Sequence, residues 1–492
     1  MTTPLTEIRL DRSTTIATAG LVLVGAYLAL LGFAMGRWPY DRWMLLILAP
    51  LLAAVGALMI WQVTRRDEVP LTRLIIVALI AKMGASFVRY FVTIDLYGSG
   101  DSQRYDVNGA DIANAFHRGE LALSQVIPSE IGTPFVDQFT GLLYTVIGPT
   151  RPGGFLIYSW IAFWGLFLFH RAALIGFPES DQRRYAILLF FLPSLLFWPS
   201  SIGKEALMLF GLGASAYGAA RLLERRRWWW VALGIGLGAT YLVRPHVTAV
   251  VLGSISLAFL FRRTGKRPPV FGPVVRLIVV AGLILVTAFA LGQAADRILP
   301  DYVDTEGSVD TVGALVDRAS TGTDEGGSEI DRPLPTSPLD YPYAAFTVLF
   351  RPMIIEANSV GTLVAALETM VVLGLFLLSW RRLANLPAVL IRRPYVLMSL
   401  VYTGIFAFAW SSFANLGALA RQRVQLWPFV LLLLAIPVAV ESAKEGRSVG
   451  PSRRARTVDR GAVPRESQRP SLATSPARGG MAPASTRRGD RR

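Results

Sequence analysis

Apolar runs of roughly 16–24 residues recur along this chain, each close to the ~20 residues with which a helix crosses a ~30 Å hydrocarbon layer. Hydropathy places about twelve of them, over residues 14–35, 43–61, 71–94, 152–176, 185–199, 203–221, 228–243, 247–262, 272–292, 357–380, 395–413 and 424–440. The expected fold is all-α, a polytopic transmembrane helical bundle. Composition agrees: 53% of the residues are hydrophobic and 17% charged, with a mean hydropathy of +0.45, too apolar for a soluble domain with a rich core. The first run ends at Gly36-Arg37 without a small-residue cleavage pattern, so no removable signal peptide is expected. Cysteine is absent, which removes disulfides, thiol catalysis and cysteine metal sites.

The placement of arginine sets the expected orientation. The net charge of +15 is not gathered on one basic face with interleaved aromatics, as nucleic-acid binding would need. Arg9 and Arg12, Arg65 and Arg66, Arg183 and Arg184, Arg225 to Arg227, Arg262 and Arg263, Arg381 and Arg382, and Arg392 and Arg393 instead fall on one side of the alternating runs. Short arginine-rich loops stay in the cytoplasm, so both termini are expected there. The alternation closes only if Phe135 to Gly148 lies at the interface; it is too short for a comfortable span and carries Asp137 and Gln138. This divides the chain into a transmembrane catalytic domain, 1–440, with outer loops 95–151 and 293–356, and a disordered basic cytoplasmic tail, 441–492. The middle of the second outer loop, STGTDEGGSEIDRPLPTSP, reads more readily as a solvated connector than as a lid.

An ionisable group in or beside a span costs at least a few kcal/mol unless it faces protein or water. Such groups collect at the outer ends of the runs: Asp101 with Asp95, Asp106 and Asp111 in IDLYGSGDSQRYDVNGADIANAFHRGE, Lys204 and Glu205 after FWPSSIG, and Arg244 and His246 in LVRPHV. Further along come Arg351 and Glu356 in LFRPMIIEAN, and Asn415, Arg421 and Arg423 in ANLGALARQRVQLWP. Positive charge is depleted from outer positions, so arginines retained there describe a polar pocket at headgroup level. Arg244, Arg351, Arg421 and Arg423 offer planar, permanently charged donors for phosphate or diphosphate, with Lys204 as a point charge. Asp101 is the candidate base, and Glu205, His246, Glu356 and Asn415 line the pocket. Lys82 and Arg89, seven residues apart on one face of the third run, are weaker candidates, read as lining the pocket or pairing with Asp95, with a structural role the more expected. Three scattered histidines make no metal-binding set. No cofactor is required by the sequence; a divalent cation between Asp101 and a second outer carboxylate stays open.

The run, then an outer loop with Asp101 and Tyr105 four residues later, then TPFVDQFTGLLYTVIGPTRPGG leading into the next run, resembles the first outer loop of GT-C-type membrane glycosyltransferases. LVRPH, LFRP and ARQRVQLWPF are similar to outer-face arginine motifs of such enzymes and of envelope-polysaccharide polymerases. The resemblance implies a donor sugar on a polyprenyl phosphate or diphosphate, Asp101 as the base and Tyr105 as its motif partner. Many members carry a second acid directly after the first, where this chain has Ser102.

The expected activity is transfer of a sugar from a polyprenyl-linked donor to an envelope glycan, glycolipid or protein on the extracytoplasmic face of the plasma membrane. The alternatives are a polysaccharide polymerase or ligase acting on lipid-linked oligosaccharides, and a flippase or transporter of lipid-linked sugars. The expected partners are that donor, its acceptor and membrane lipids, with no nucleic acid.

Overall fold

A computed structural model describes residues 12–98, 100–262, 281, 339–357, 359–411 and 416–438. The chain divides into two units, Met1–Ser442 and Ala443–Arg492, and every described residue belongs to the first. Helix makes up 81% of the structure, with no strand among the described residues. In chain order the helices are α1 (Arg12–Arg37), α2 (Tyr40–Thr64), α3 (Thr72–Tyr90, prolonged by a π turn, Phe91–Leu96), α4 (Asp101–His117), α5 (Leu123–Val126), α6 (Thr133–Ile147), α7 (Arg151–Gly176), α8 (Gln182–Phe191), α9 (Pro193–Phe197), α10 (Lys204–Leu223), α11 (Trp229–Val243) and α12 (Pro245–Phe261). After a stretch outside the described residues come α13 (Tyr341–Phe350), α14 (Val360–Leu378), α15 (Trp380–Leu383), α16 (Leu386–Arg392), α17 (Pro394–Ala409), α18 (Leu416–Gln422) and α19 (Trp427–Leu433).

Among the described residues six helices are long and apolar enough to cross a membrane: α1, α2, α3 with its π turn, α7, α10 and α14; α16 and α17, bent by 115°, would together make a seventh. The chain is therefore built as a helical membrane protein. The other expected runs take shorter forms. Residues 185–199 are split, because Pro193 has no N–H to continue α8. Residues 228–243 and 247–262 become helices of 15 and 17 residues, and 424–440 contains the 7-residue α19. The run 272–292 apart from residue 281, most of the outer loop 293–356 and the tail 441–492 lie outside the described residues.

The bundle is centred on α7 and α10, buried over 78% and 83% of their most apolar windows, against 6%, 17% and 22% for α1, α2 and α14. Glycine decides which helices meet most closely. A Cβ on Gly213 would stand 2.1 Å from the Gly165 carbonyl oxygen, and one on Gly236 would stand 2.3 Å from the Ser215 nitrogen. Any larger residue would push α7, α10 and α11 apart, which is how small residues set helix association where lipid offers no hydrophobic drive.

Bonds between elements show which helix ends are neighbours. At one end Arg151, opening α7, donates to Asp106 of α4 at 2.6 Å, and Tyr40, opening α2, donates to the Ile147 carbonyl closing α6. At the other end Arg171 pairs with Asp67 at 2.5 Å, Arg184 donates to Ser379 at 2.7 Å, and Arg393 pairs with Glu179. The helix α6 starts beside the end of α11, where Gly132 donates to the Leu242 carbonyl at 2.7 Å, and finishes beside the start of α2. Both its ends lie at the same end of the bundle, so it does not traverse it. It packs on α4 through Gly109 and Gly141, whose added Cβ atoms would each stand 2.6 Å from Thr140 and Ile112.

Candidate functional site

Two helices begin at the same place. The first residue of α4 is Asp101, after Gly100, and the first of α10 is Lys204, after Gly203; neither glycine offers a side-chain cap. The opening N–H groups of a helix have no intrahelical acceptor and carry the positive end of the dipole, which suits an anion. The two starts are neighbours: a Cβ on Gly203 would stand in ordinary contact, 3.5 Å from Glu205 Oε2 and 3.7 Å from the Tyr105 ring. Between them lies a cavity of about 240 Å³, lined by Arg89, Tyr97, Asp101, Ser102, Glu205 and Arg421 among others.

One guanidinium organises its charges. Arg421 Nη2 donates to Asp101 Oδ2 at 2.8 Å and Nε to Glu205 Oε1 at 2.7 Å. Arg244, at the junction of α11 and α12, reaches the same Glu205 oxygen at 3.4 Å and donates to Gln422, which also accepts from Gln425 at 2.6 Å. Lys204 Nζ donates to Thr133 Oγ1 at 2.7 Å, tying α10 to α6. The Asp101 side chain is 59% exposed and that of Glu205 only 5%. Glu205 is thus the buried anchor, and Asp101 the carboxylate that an incoming molecule can reach. Glu205 holds Arg421 above the ordinary arginine range, so the cation is permanent. Burial, with Asp101 nearby, pushes the Tyr105 phenol up to about 12. At neutral pH that phenol keeps its proton and cannot serve as a base.

The structure brings Asp101, Glu205 and Arg421 to one cavity, with Tyr105, Lys204 and Arg244 against them. It does not bring Arg351 or Arg423 there. Arg351 Nε donates to Glu356 Oε1 at 2.8 Å, and Glu356 also accepts the Met353 N–H at 2.8 Å, a local pair around a short 3-10 turn. Arg423, 2% exposed, donates to the Leu349 carbonyl at 2.9 Å. Side chains two apart on a helix point roughly 200° apart, and the 3-10 turn Arg423–Gln425 takes Arg423 away from the face that Arg421 presents. The His246 ring lies against Trp410, centroids 5.8 Å apart, behind Arg244. Asn415 lies outside the described residues.

Arg89 gains the weight that Arg351 and Arg423 lose. It lines the cavity with its guanidinium 4.6 Å from the Phe197 ring and 4.8 Å from that of Trp198, and its buried Nε has no hydrogen-bond partner among the described residues. The available signal was position: an arginine in the last turn of a span, immediately before the acidic loop. Among the described residues no three His, Cys, Asp or Glu side chains form a metal-binding group, and the two cavity carboxylates are joined to each other through Arg421. Compared with protein-family models, with curated proteins and with solved structures, the chain matches none.

Proposed function

We propose that this protein is an integral-membrane glycosyltransferase of the GT-C type, taking a sugar from a polyprenyl phosphate or diphosphate and passing it to an envelope glycan, glycolipid or protein. The observation that carries the reading is the chain of charges Asp101–Arg421–Glu205–Arg244, which joins elements far apart in sequence around one cavity at the end of a membrane bundle. The arginine pairs at the opposite end support a plasma-membrane orientation with the cavity extracytoplasmic.

In the proposed reaction the donor phosphate enters beside Arg89, Arg421 and the opening N–H groups of α10. It competes for Arg421, which releases Asp101. The acceptor hydroxyl oxygen then bonds to the anomeric carbon while the bond from that carbon to the phosphate oxygen breaks. The electron pair leaves with the phosphate, whose charge the arginines stabilise, and the hydroxyl proton passes to Asp101. Glu205, buried and fixed, keeps Arg421 oriented through the exchange. A positioned base of this kind contributes ~10²–10⁴ in rate. Asp101→Asn is therefore expected to lower transfer from a radiolabelled polyprenyl-phosphate sugar by about that factor in proteoliposomes supplied with an envelope extract as acceptor. Full activity in that variant would overturn the assignment of the base.

One observation favours a second reading. The break between α8 and α9 is attended by Lys82 and Glu368 within the bundle, and broken helices near the midplane belong to transporters. A flippase would move the labelled lipid across the bilayer with its sugar–phosphate bond intact, whereas the transferase cleaves that bond. A polymerase or ligase would instead lengthen the product.

A further inference from the structure

The helix α10 carries a second feature at its other end, about 30 Å from the Asp101 cavity. The chain there reads Arg225-Arg226-Arg227-Trp228-Trp229-Trp230. Arg225 and Trp228 adopt positive φ angles of 53° and 62°, uncommon for residues with a side chain, and the turn they make seats Trp228 at the border of two cavities. One, of about 640 Å³, is lined by residues 225–230 with Phe259 and Arg262. The other, of about 490 Å³, is apolar and follows α10 from Phe210 through Ala214 and Tyr217 to Arg221, with Ala232 and Ile235 of α11 opposite. Phe210 to Arg221 covers roughly 16 Å of helix axis.

The charge at this end is unbalanced. Arg225, Arg226 and Arg227 are exposed and pair with no carboxylate among the described residues, and Glu224 is the one acid in that turn. Arg262 donates to the carbonyls of Leu222 and Leu223 at 3.1 and 3.2 Å, closing the end of α10. A basic recess that shares the Trp228 wall with an apolar groove along a membrane helix matches a ligand with a phosphate head and a hydrocarbon tail. A soluble phosphate ester would use only the first cavity, and a neutral lipid only the second.

We propose that this paired recess holds one anionic glycerophospholipid, with its phosphate on residues 225–227 and an acyl chain in the groove between α10 and α11. The inference is independent of what happens at Asp101. It is tested on the full-length protein, purified in detergent with phosphatidylglycerol or with phosphatidylcholine of the same acyl chains, by counting lipids retained in native mass spectra. The wild type should keep phosphatidylglycerol in preference, and the triple variant Arg225→Gln, Arg226→Gln, Arg227→Gln should retain it about 100-fold less. Arg65→Gln with Arg66→Gln, which removes charge from the same end but outside the recess, should leave retention unchanged. Ala232→Trp, which keeps every arginine and fills the groove, should also release the lipid. If the triple variant does not fold, Arg226→Gln alone should cost about fivefold. Equal retention of the two lipids by the wild type would overturn the proposal, as would unchanged retention in Ala232→Trp. So would a loss in the Arg65 and Arg66 variant equal to that in the triple variant.

Discussion

The Asp101 cavity and the break between α8 and α9 both gather ionisable side chains from distant helices, and they use them in opposite ways. At the break, Lys82 of α3, 1% exposed, donates to the carbonyls of Leu195 and Leu196 at 2.7 and 3.1 Å. Glu368 of α14 accepts the Ser194 N–H at 2.6 Å. Each charge there serves backbone groups that a five-residue helix leaves without partners. At the cavity the charges serve one another, and one of them, Asp101, faces water. The difference teaches which buried charges are available for chemistry. A lysine that completes the backbone cannot change partner without opening the fold, whereas an arginine shared by two carboxylates can exchange one of them for a phosphate.

The sharpest way to break this contrast is to remove the shared cation. Arg421→Gln strands the buried Glu205, with only Arg244 left at 3.4 Å, and breaking a buried pair from one side costs about 3–5 kcal/mol. Thermal unfolding in detergent should show that loss, together with a fall in transfer of about 100-fold or more. Adding Glu205→Gln to the same chain should return most of the stability and none of the transfer. If the single variant unfolds like the wild type, the cavity charges do not depend on one another.

A smaller effect is expected at the break. Lys82→Met leaves the Leu195 carbonyl without a donor, while that of Leu196 keeps Ser200 Oγ at 2.5 Å; the cost is about 1–3 kcal/mol for an unsatisfied buried group, yet transfer per folded molecule should not change. A drop in specific activity with unchanged stability would move Lys82 into the functional machinery and favour the transporter reading.

The smallest effect concerns Asp137 on α6, whose buried Oδ1 has no hydrogen-bond partner among the described residues. Burial raises its carboxyl above the ordinary range, although Arg104 approaches to 3.9 Å. The folded state therefore holds this proton to higher pH than the unfolded state does. Stability is lost as pH rises from the ordinary aspartate range through the raised value, and stays lower at neutral pH. Asp137→Asn should raise the melting temperature at pH 7, with a gain that shrinks as the pH is lowered toward that range. A gain constant across this pH range would show that the carboxyl is not strained.

Asp101 and Glu205 were legible because a carboxylate at the mouth of an apolar run is conspicuous, and α4 and α10 do open on those positions. Arg421 and Arg423 were indistinguishable in ARQRV, since a two-residue separation carries no information about which one faces a cavity until the turn geometry is known. Arg351 matched the outer-arginine pattern equally well, but Glu356, five residues on, claims it locally. The split in 185–199 was visible as Pro193, but averaging hydropathy over a window hides a single missing N–H.

What the amino-acid order determined alone is the membrane-built, helical character of the chain, because bilayer thickness and the need to satisfy every backbone polar group translate directly into runs of apolar residues. Which charges meet was decided only by the tertiary structure. Glycine contacts draw α7, α10 and α11 together, the starts of α4 and α10 converge at Gly100 and Gly203, and Arg421 reaches two carboxylates 216 and 320 residues away. Electrostatic pairing acts over a few ångströms in space and leaves no period in the sequence from which it could be read.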